Sequence, residues 1–134
     1  LVLFSPWADL SCSSEGLNVN RKKDFVFSQE ALLGAAQLYT EEKNLTNELV
    51  SPIFGNFENF PPVFIQCGSN EILLDDSIRL CGKIEKAGGR AVLDKVENMP
   101  HLFQAVPDYF SNAHLAVEAV GKKISEFILS GDTK

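Results

Sequence analysis

Apolar and polar positions follow distinct rhythms along this chain, and those rhythms predict its elements. Near the middle, Val63-Phe64-Ile65-Gln66-Cys67 is an almost unbroken run of β-branched and aromatic residues, suited to a strand buried on both faces. The Pro61-Pro62 pair opens it, and Gly68-Ser69-Asn70 ends it with turn chemistry. Asp75 and Asp76 then stand where a helix N-cap is expected. The helix they introduce runs over 76–87, with Ile78, Cys81 and Ile84 at helical spacing and Gly88-Gly89 as its stop. Residues 90–96 form a second short strand, more polar through Asp94 and Lys95, and so nearer a sheet edge or end. Strand, helix and strand at this spacing make a βαβ unit with a right-handed crossover.

The clearest periodicity belongs to the last helix, over 108–129. Ala113, Ala116, Val117, Val120, Ile124, Phe127 and Ile128 mark its apolar face, and His114, Glu118, Lys122 and Ser125 the opposite one. His114 therefore reads as a solvated residue, and residues 130–134 as a frayed tail. At the other end, Leu1-Val2-Leu3-Phe4 is strand-like and stops at Ser5-Pro6. Residues 7–27 are irregular. Ser28 caps a helix over 29–39, with Leu32, Leu33, Ala36 and Tyr39 on one face, and residues 40–60 return to loop. Loops this long are usually functional or lids. One domain is expected, divided into a strand over 1–7, an excursion over 8–60 and a βαβα unit over 61–129.

Composition narrows the function classes. The chain has 134 residues, enough for one core. A net charge of −6, with no basic patch beyond Arg21-Lys22-Lys23, argues against a nucleic-acid partner. Cys12, Cys67 and Cys81 have no metal-ligand spacing and are an odd number, so reduced thiols are expected. No apolar run approaches the ~18 residues of a membrane span. The first residue is not Met and the chain opens inside an apparent strand, so a preceding N-terminal part is expected. Asn44-Leu45-Thr46 is a glycosylation acceptor pattern, meaningful only in a secretory pathway; the residues do not give the compartment, although the cytoplasm is favoured.

The candidate chemistry lies beyond the two strands of the βαβ unit. Glu71 follows the first, and His101, in Glu97-Asn98-Met99-Pro100-His101, follows the second. The carboxyl edge of an open α/β sheet is where ligands and chemistry sit. A carboxylate that accepts a bond from one imidazole nitrogen fixes the tautomer and supports the cation formed when the other takes a proton. Acid followed by histidine is also the chain order of the α/β-hydrolase triad after its serine. The chain contains no G-x-S-x-G elbow and no His-Gly-Gly oxyanion motif.

Several words of the sequence carry a family resemblance. They are Ser5-Pro6-Trp7-Ala8-Asp9-Leu10, Leu49-Val50-Ser51-Pro52, Pro61-Pro62-Val63-Phe64-Ile65-Gln66, Gly68-Ser69-Asn70-Glu71-Ile72-Leu73-Leu74-Asp75-Asp76-Ser77 and Met99-Pro100-His101-Leu102-Phe103. Their order and spacing, over nearly the whole chain, resemble the C-terminal part of the hormone-sensitive-lipase-like carboxylesterases. The resemblance implies a partial α/β-hydrolase fold, the C-terminal portion of a mostly parallel sheet with flanking helices. In this family the triad acid stands four residues before the first Asp of the Leu-Asp-Asp-Ser word, which is Glu71 here, and the histidine follows the Met-Pro pair, which is His101. The family usually has Asp at the acid position, so Glu71 is a departure by one methylene. Asp75 and Asp76 read as helix-capping residues. Residues 7–60 would wall the acyl pocket, with Trp7 and Phe54 among the apolar lining. The implied reaction is hydrolysis of a small-molecule carboxylic ester without cofactor or metal, by a serine that the missing part would supply; a homodimer is left open.

Two other classes remain at this point. A non-catalytic member of the same fold could bind an apolar ligand as a receptor, or the chain could be an inactive truncated product. Alternatively, Glu71, Asp75 and Asp76 after a buried strand could form a Mg²⁺ or phospho-acceptor site, although that reading explains neither residues 1–60 nor the Met-Pro-His word.

Overall fold

Among the described residues, three parallel strands lie in the order β1-β2-β3, with helices on both faces. The computed structural model describes residues 1–106, 108–110 and 112–129, so the predicted tail lies outside the described residues. The elements are β1 (Val2–Phe4), α1 (Leu17–Asn20), α2 (Gln29–Tyr39), β2 (Val63–Gly68), α3 (Leu74–Lys86), β3 (Ala91–Val96) and α4 (Ala113–Leu129). Short 3₁₀ turns occupy Glu42–Asn44, Pro52–Phe54 and Phe103–Ala105.

All six residues of β2 are buried, as expected for the central strand of the three. Its two faces divide by residue parity. Val63 and Ile65 meet Leu3 and Leu93 of the neighbouring strands, and Leu80, Cys81 and Ile84 of α3, in the main apolar cluster. Gln66, on the other face, meets α4. Its side-chain amide donates to Asp94 Oδ2 (2.8 Å) and to the Ala116 carbonyl (3.0 Å), and its Oε1 accepts from Gln104 (3.0 Å). This one buried amide therefore joins β2, β3, α4 and the turn that follows His101. β3 is half-buried, with Val92 and Lys95 exposed, matching its more polar sequence.

Local chemistry sets the helix ends. The Ser28 hydroxyl accepts from the Ala31 N–H (3.2 Å) and starts α2. α3 ends in a Schellman motif: Gly88 turns left-handed (φ +82°) and donates to the Glu85 carbonyl, while Gly89 donates to that of Ile84.

Several expectations need correction. α3 starts at Leu74, and its cap residue is Leu73, which makes no side-chain capping bond. Asp75 and Asp76 lie in the first turn, where their charge suits the helix dipole, but Asp76 caps a different segment. Its Oδ2 accepts from the main-chain N–H groups of Ala8 (2.8 Å) and Asp9 (2.9 Å). Ile78 is 46% exposed, and the inward face of α3 is Ser77, Leu80, Cys81 and Ile84. Leu33 and Tyr39 likewise point outward from α2, leaving Leu32 and Ala36 as its buried residues. α4 starts at Ala113 rather than 108, with Ala113, Ala116 and Val120 buried, while Val117, Ile124 and Ile128 of the expected face are exposed. The stretch over 7–27 also contains α1, a single turn too short for periodicity to reveal.

The clasp at Asp76 gives a stability prediction. Burial pushes its carboxyl up to about 6; the Ala8 and Asp9 N–H groups offset this only in part. Between about pH 4 and 6 the folded chain holds a proton that the unfolded chain has lost, so the Asp76 contribution to stability falls as pH rises through that window. In the complete protein, Asp76→Asn keeps an acceptor for both N–H groups and should flatten this slope by on the order of 2 kcal/mol in urea unfolding. Asp76→Ala leaves two buried donors unpaired and should cost about 2–4 kcal/mol at any pH.

Candidate active site

The turn after β2 and the loop after β3 come off the same edge of the sheet and are tied to each other. Ser69 donates its N–H to the Val96 carbonyl (2.9 Å), Asn70 donates to that of Met99 (3.1 Å), and the Asn98 N–H donates to the Ser69 hydroxyl (2.8 Å). Each segment also has its own apolar anchor. Ile72 and Leu73, beside Glu71, are buried with Leu17 and Leu32, and Trp7 and Phe27 pack against this cluster. Met99 and Phe103, flanking His101, are buried with Ala113 and Ala116 of α4.

The histidine loop is tightly constrained. Asn98 (φ 62°) and Leu102 (φ 49°) both adopt left-handed backbone, which Asn takes readily and Leu at a cost of about 1–2 kcal/mol. Burial of Phe103 and a hydrogen bond from the Leu102 N–H to the Ser5 hydroxyl (3.3 Å) hold Leu102 there. Gly68, the last residue of β2, lies directly under this loop. A Cβ at that position would overlap the Met99 carbonyl oxygen and stand 2.6 Å from its carbon and 2.7 Å from the Pro100 oxygen. These atoms are backbone, so Gly68→Ala must displace the segment that carries His101. We expect a loss on the order of 10²-fold in any activity that depends on His101, with a destabilisation of about 3 kcal/mol in thermal unfolding of the complete protein.

Glu71 and His101 meet at this edge. Nδ1 of His101 is 3.3 Å from Oε2 of Glu71; the Glu71 side chain is fully buried and that of His101 is 8% exposed. Neither Glu71 carboxylate oxygen has a hydrogen-bond donor among the described residues. A buried carboxylate is costly unless a cation or donor answers it, and the imidazole is the group within reach. The 3.3 Å contact is not aligned as a hydrogen bond, and such contacts commonly tighten when substrate binds. Phe27 packs its ring edge-to-face on the imidazole, with centroids 4.9 Å apart.

The remaining acids of the region have other partners. Asp75 pairs with the Ser14 hydroxyl. Asp9 accepts from Ser11, from Ser13 (2.6 Å) and from Arg79 (2.8 Å), and these bonds outweigh its burial and hold its carboxyl below the usual range. Glu71, Asp75 and Asp76 are thus three separate interactions rather than one acidic cluster. No group of three metal-ligating side chains occurs among the described residues. Cys67 is buried, and its thiol is pushed up to about 12, first by burial and then by the Glu71 charge, so it is a poor nucleophile. His114 is exposed on α4. Phe54 lies on the 3₁₀ turn that packs against α3, with Lys83 over its ring at 6.0 Å.

Three residues of this region carried no signal in the sequence: Asn20, Asp24 and Phe27. They precede α2 in a polar stretch and reach the acid turn only through the tertiary fold. An aromatic close to an Arg-Lys-Lys run reads as loop, and nothing in its spacing relates it to His101.

A family model described as the alpha/beta hydrolase fold matches residues 1–105. The chain belongs to the α/β hydrolase fold family, and its likenesses are to esterases of the hormone-sensitive lipase type. An esterase of Acinetobacter venetianus is 37% identical over 133 residues, which take in 98% of this chain and 43% of that protein. An acetyl-hydrolase of Streptomyces hygroscopicus is 28% identical over 120 residues, 90% of this chain and 40% of that protein. Among solved structures, a hormone-sensitive lipase from a metagenome library superposes with a TM-score of 0.90 at 29% identity, covering 94% of this chain and 43% of its own. An esterase of the bacterial hormone-sensitive lipase family gives a TM-score of 0.89 at 30% identity, covering 93% of this chain and 42% of its own. The chain thus spans less than half the length of these relatives. Among the described residues, no helix is long and apolar enough to cross a membrane.

Proposed function

We propose that this chain is the acid-and-histidine portion of a serine carboxylesterase. A serine hydroxyl, contributed by a part of the complete protein outside these 134 residues, attacks the ester carbonyl. His101 takes the hydroxyl proton as the carbon–oxygen bond forms and delivers it to the departing alcohol. Water then attacks the acyl-serine, His101 takes a proton from that water, and its return to the serine releases the carboxylic acid. Glu71 orients the imidazole and offsets its positive charge in both half-reactions.

The observation that carries this reading is the buried Glu71 carboxylate, without any hydrogen-bond donor among the described residues, facing Nδ1 of His101 at 3.3 Å. A merely structural buried acid would be expected to hold hydrogen-bond donors, as Asp9 and Asp76 do. The names of the two curated relatives, esterase and acetyl-hydrolase, favour a carboxylic ester with a short acyl group.

The test is p-nitrophenyl acetate hydrolysis by the complete protein. A burst of nitrophenol stoichiometric with enzyme, followed by slower turnover, supports an acyl-enzyme. Absence of hydrolysis across a range of acyl chain lengths would leave the ligand-binding reading of the same fold in its place. The 134 residues alone should be inactive; hydrolysis by them that disappears in His101→Ala would contradict a nucleophile located elsewhere.

A further inference from the structure

The peptide unit that joins Glu71 to Ile72 is held at both of its polar ends by one distant segment. Nδ2 of Asn20 donates to the Glu71 carbonyl (3.0 Å) and to the Ser69 carbonyl (2.8 Å). Oδ2 of Asp24 accepts from the Ile72 N–H (2.7 Å). The other Asp24 oxygen accepts from the N–H groups of Val26 (2.7 Å) and Phe27 (3.0 Å), a turn that leads directly to the ring packed on His101. Asn20 is 3% exposed and ends α1, whose Leu17 shares a cluster with Ile72 and Leu73. Segment 20–27 therefore grips the main chain of the acid and the ring of the base together.

Such a grip matters more for Glu71 than it would for a shorter acid. Its side chain has one more rotatable bond than Asp, and its carboxylate has no hydrogen bond among the described residues to fix it. The position of the carboxylate is then set by the backbone below it and the packing around it. The backbone is what Asn20 and Asp24 hold.

We propose that Asn20 is a positioning residue for the Glu71–His101 pair, acting through the main chain of Glu71; this rests on the esterase reading above. Asn20→Asp is the informative variant in the complete protein, because it fills the same space but cannot donate to either carbonyl. The expected result is a kcat for p-nitrophenyl acetate lower by on the order of 10- to 100-fold, with KM within about twofold of wild type. In a Glu71→Gln background the same change should cost less than about twofold, because the group it positions has already been lost. An equal loss in both backgrounds would mean a general structural role and would overturn the proposal. So would wild-type kcat in Asn20→Asp beside a crippled Glu71→Gln enzyme. Wild-type kcat in Glu71→Gln and His101→Ala would instead overturn the acid-and-base assignment beneath it. If Asn20→Asp does not fold, Asn20→Ser carries the same comparison: it can answer only one of the two carbonyls, for an expected loss of about fivefold.

Discussion

Glu71→Gln should lower kcat of the complete protein on p-nitrophenyl acetate by on the order of 10⁴, while KM changes little. Gln fills the same volume but presents an amide where the carboxylate stood. It cannot offset the imidazolium charge, and its N–H₂ group can face Nδ1 and select the wrong tautomer. The fold should not suffer. Glu71 is fully buried without a hydrogen-bond donor among the described residues, so losing its charge removes a desolvation cost. Thermal unfolding of Glu71→Gln is expected at or above the wild-type midpoint, which separates lost chemistry from lost structure. Asp75→Asn is the control, since Asp75 is engaged by Ser14, and it should change kcat by less than about threefold. Near-wild-type turnover in Glu71→Gln with a crippled Asp75→Asn would move the acid assignment to Asp75.

His101→Ala should reduce kcat at least as far, by on the order of 10⁴ or more, because in the proposed mechanism His101 is the group that takes the serine proton. Its stability signature is opposite to that of Glu71→Gln. With the ring gone, the Glu71 carboxylate is left buried without the imidazole that faces it, and Phe27 loses its edge-to-face contact. A destabilisation of about 3 kcal/mol is expected. Adding Glu71→Gln to His101→Ala should recover a large part of it by removing the stranded charge. Denaturant midpoints of the three variants check this, and a His101→Ala protein as stable as wild type would argue that the two side chains do not interact.

The parts of the fold legible in the sequence are those specified within a few residues. The continuous apolar run of β2, the Ser28 cap and the Gly88-Gly89 stop each state their own conformation, and each appears where expected. Glu71 and His101 could be singled out because each closely follows a strand of one βαβ unit, and parallel pairing of those strands brings the two ends together. What escaped depends on contacts between distant residues. Asp76 sits in a helix first turn, and helix chemistry accounts for it locally, yet its hydrogen bonds go to residues 67 and 68 positions away. Ile78 follows the helical repeat of α3 but is exposed, because the fully buried Ser77 takes the inward position. Leu102 gives no sign of a left-handed backbone, which the burial of Phe103 and the distant Ser5 hydroxyl support. Asn20, Asp24 and Phe27 carry no periodicity at all, and only the packing of α1 on the acid turn gives them meaning.

In the proposed mechanism the acid and the base work as one unit, and a kcat measurement on four forms of the complete protein tests that directly: wild type, Glu71→Gln, His101→Ala and the double variant. If the carboxylate acts only through the imidazole, the double variant turns over no more slowly than His101→Ala, so the two single losses fail to multiply. Losses that multiply to the product of the single effects, or a single variant that keeps near-wild-type turnover, would contradict it.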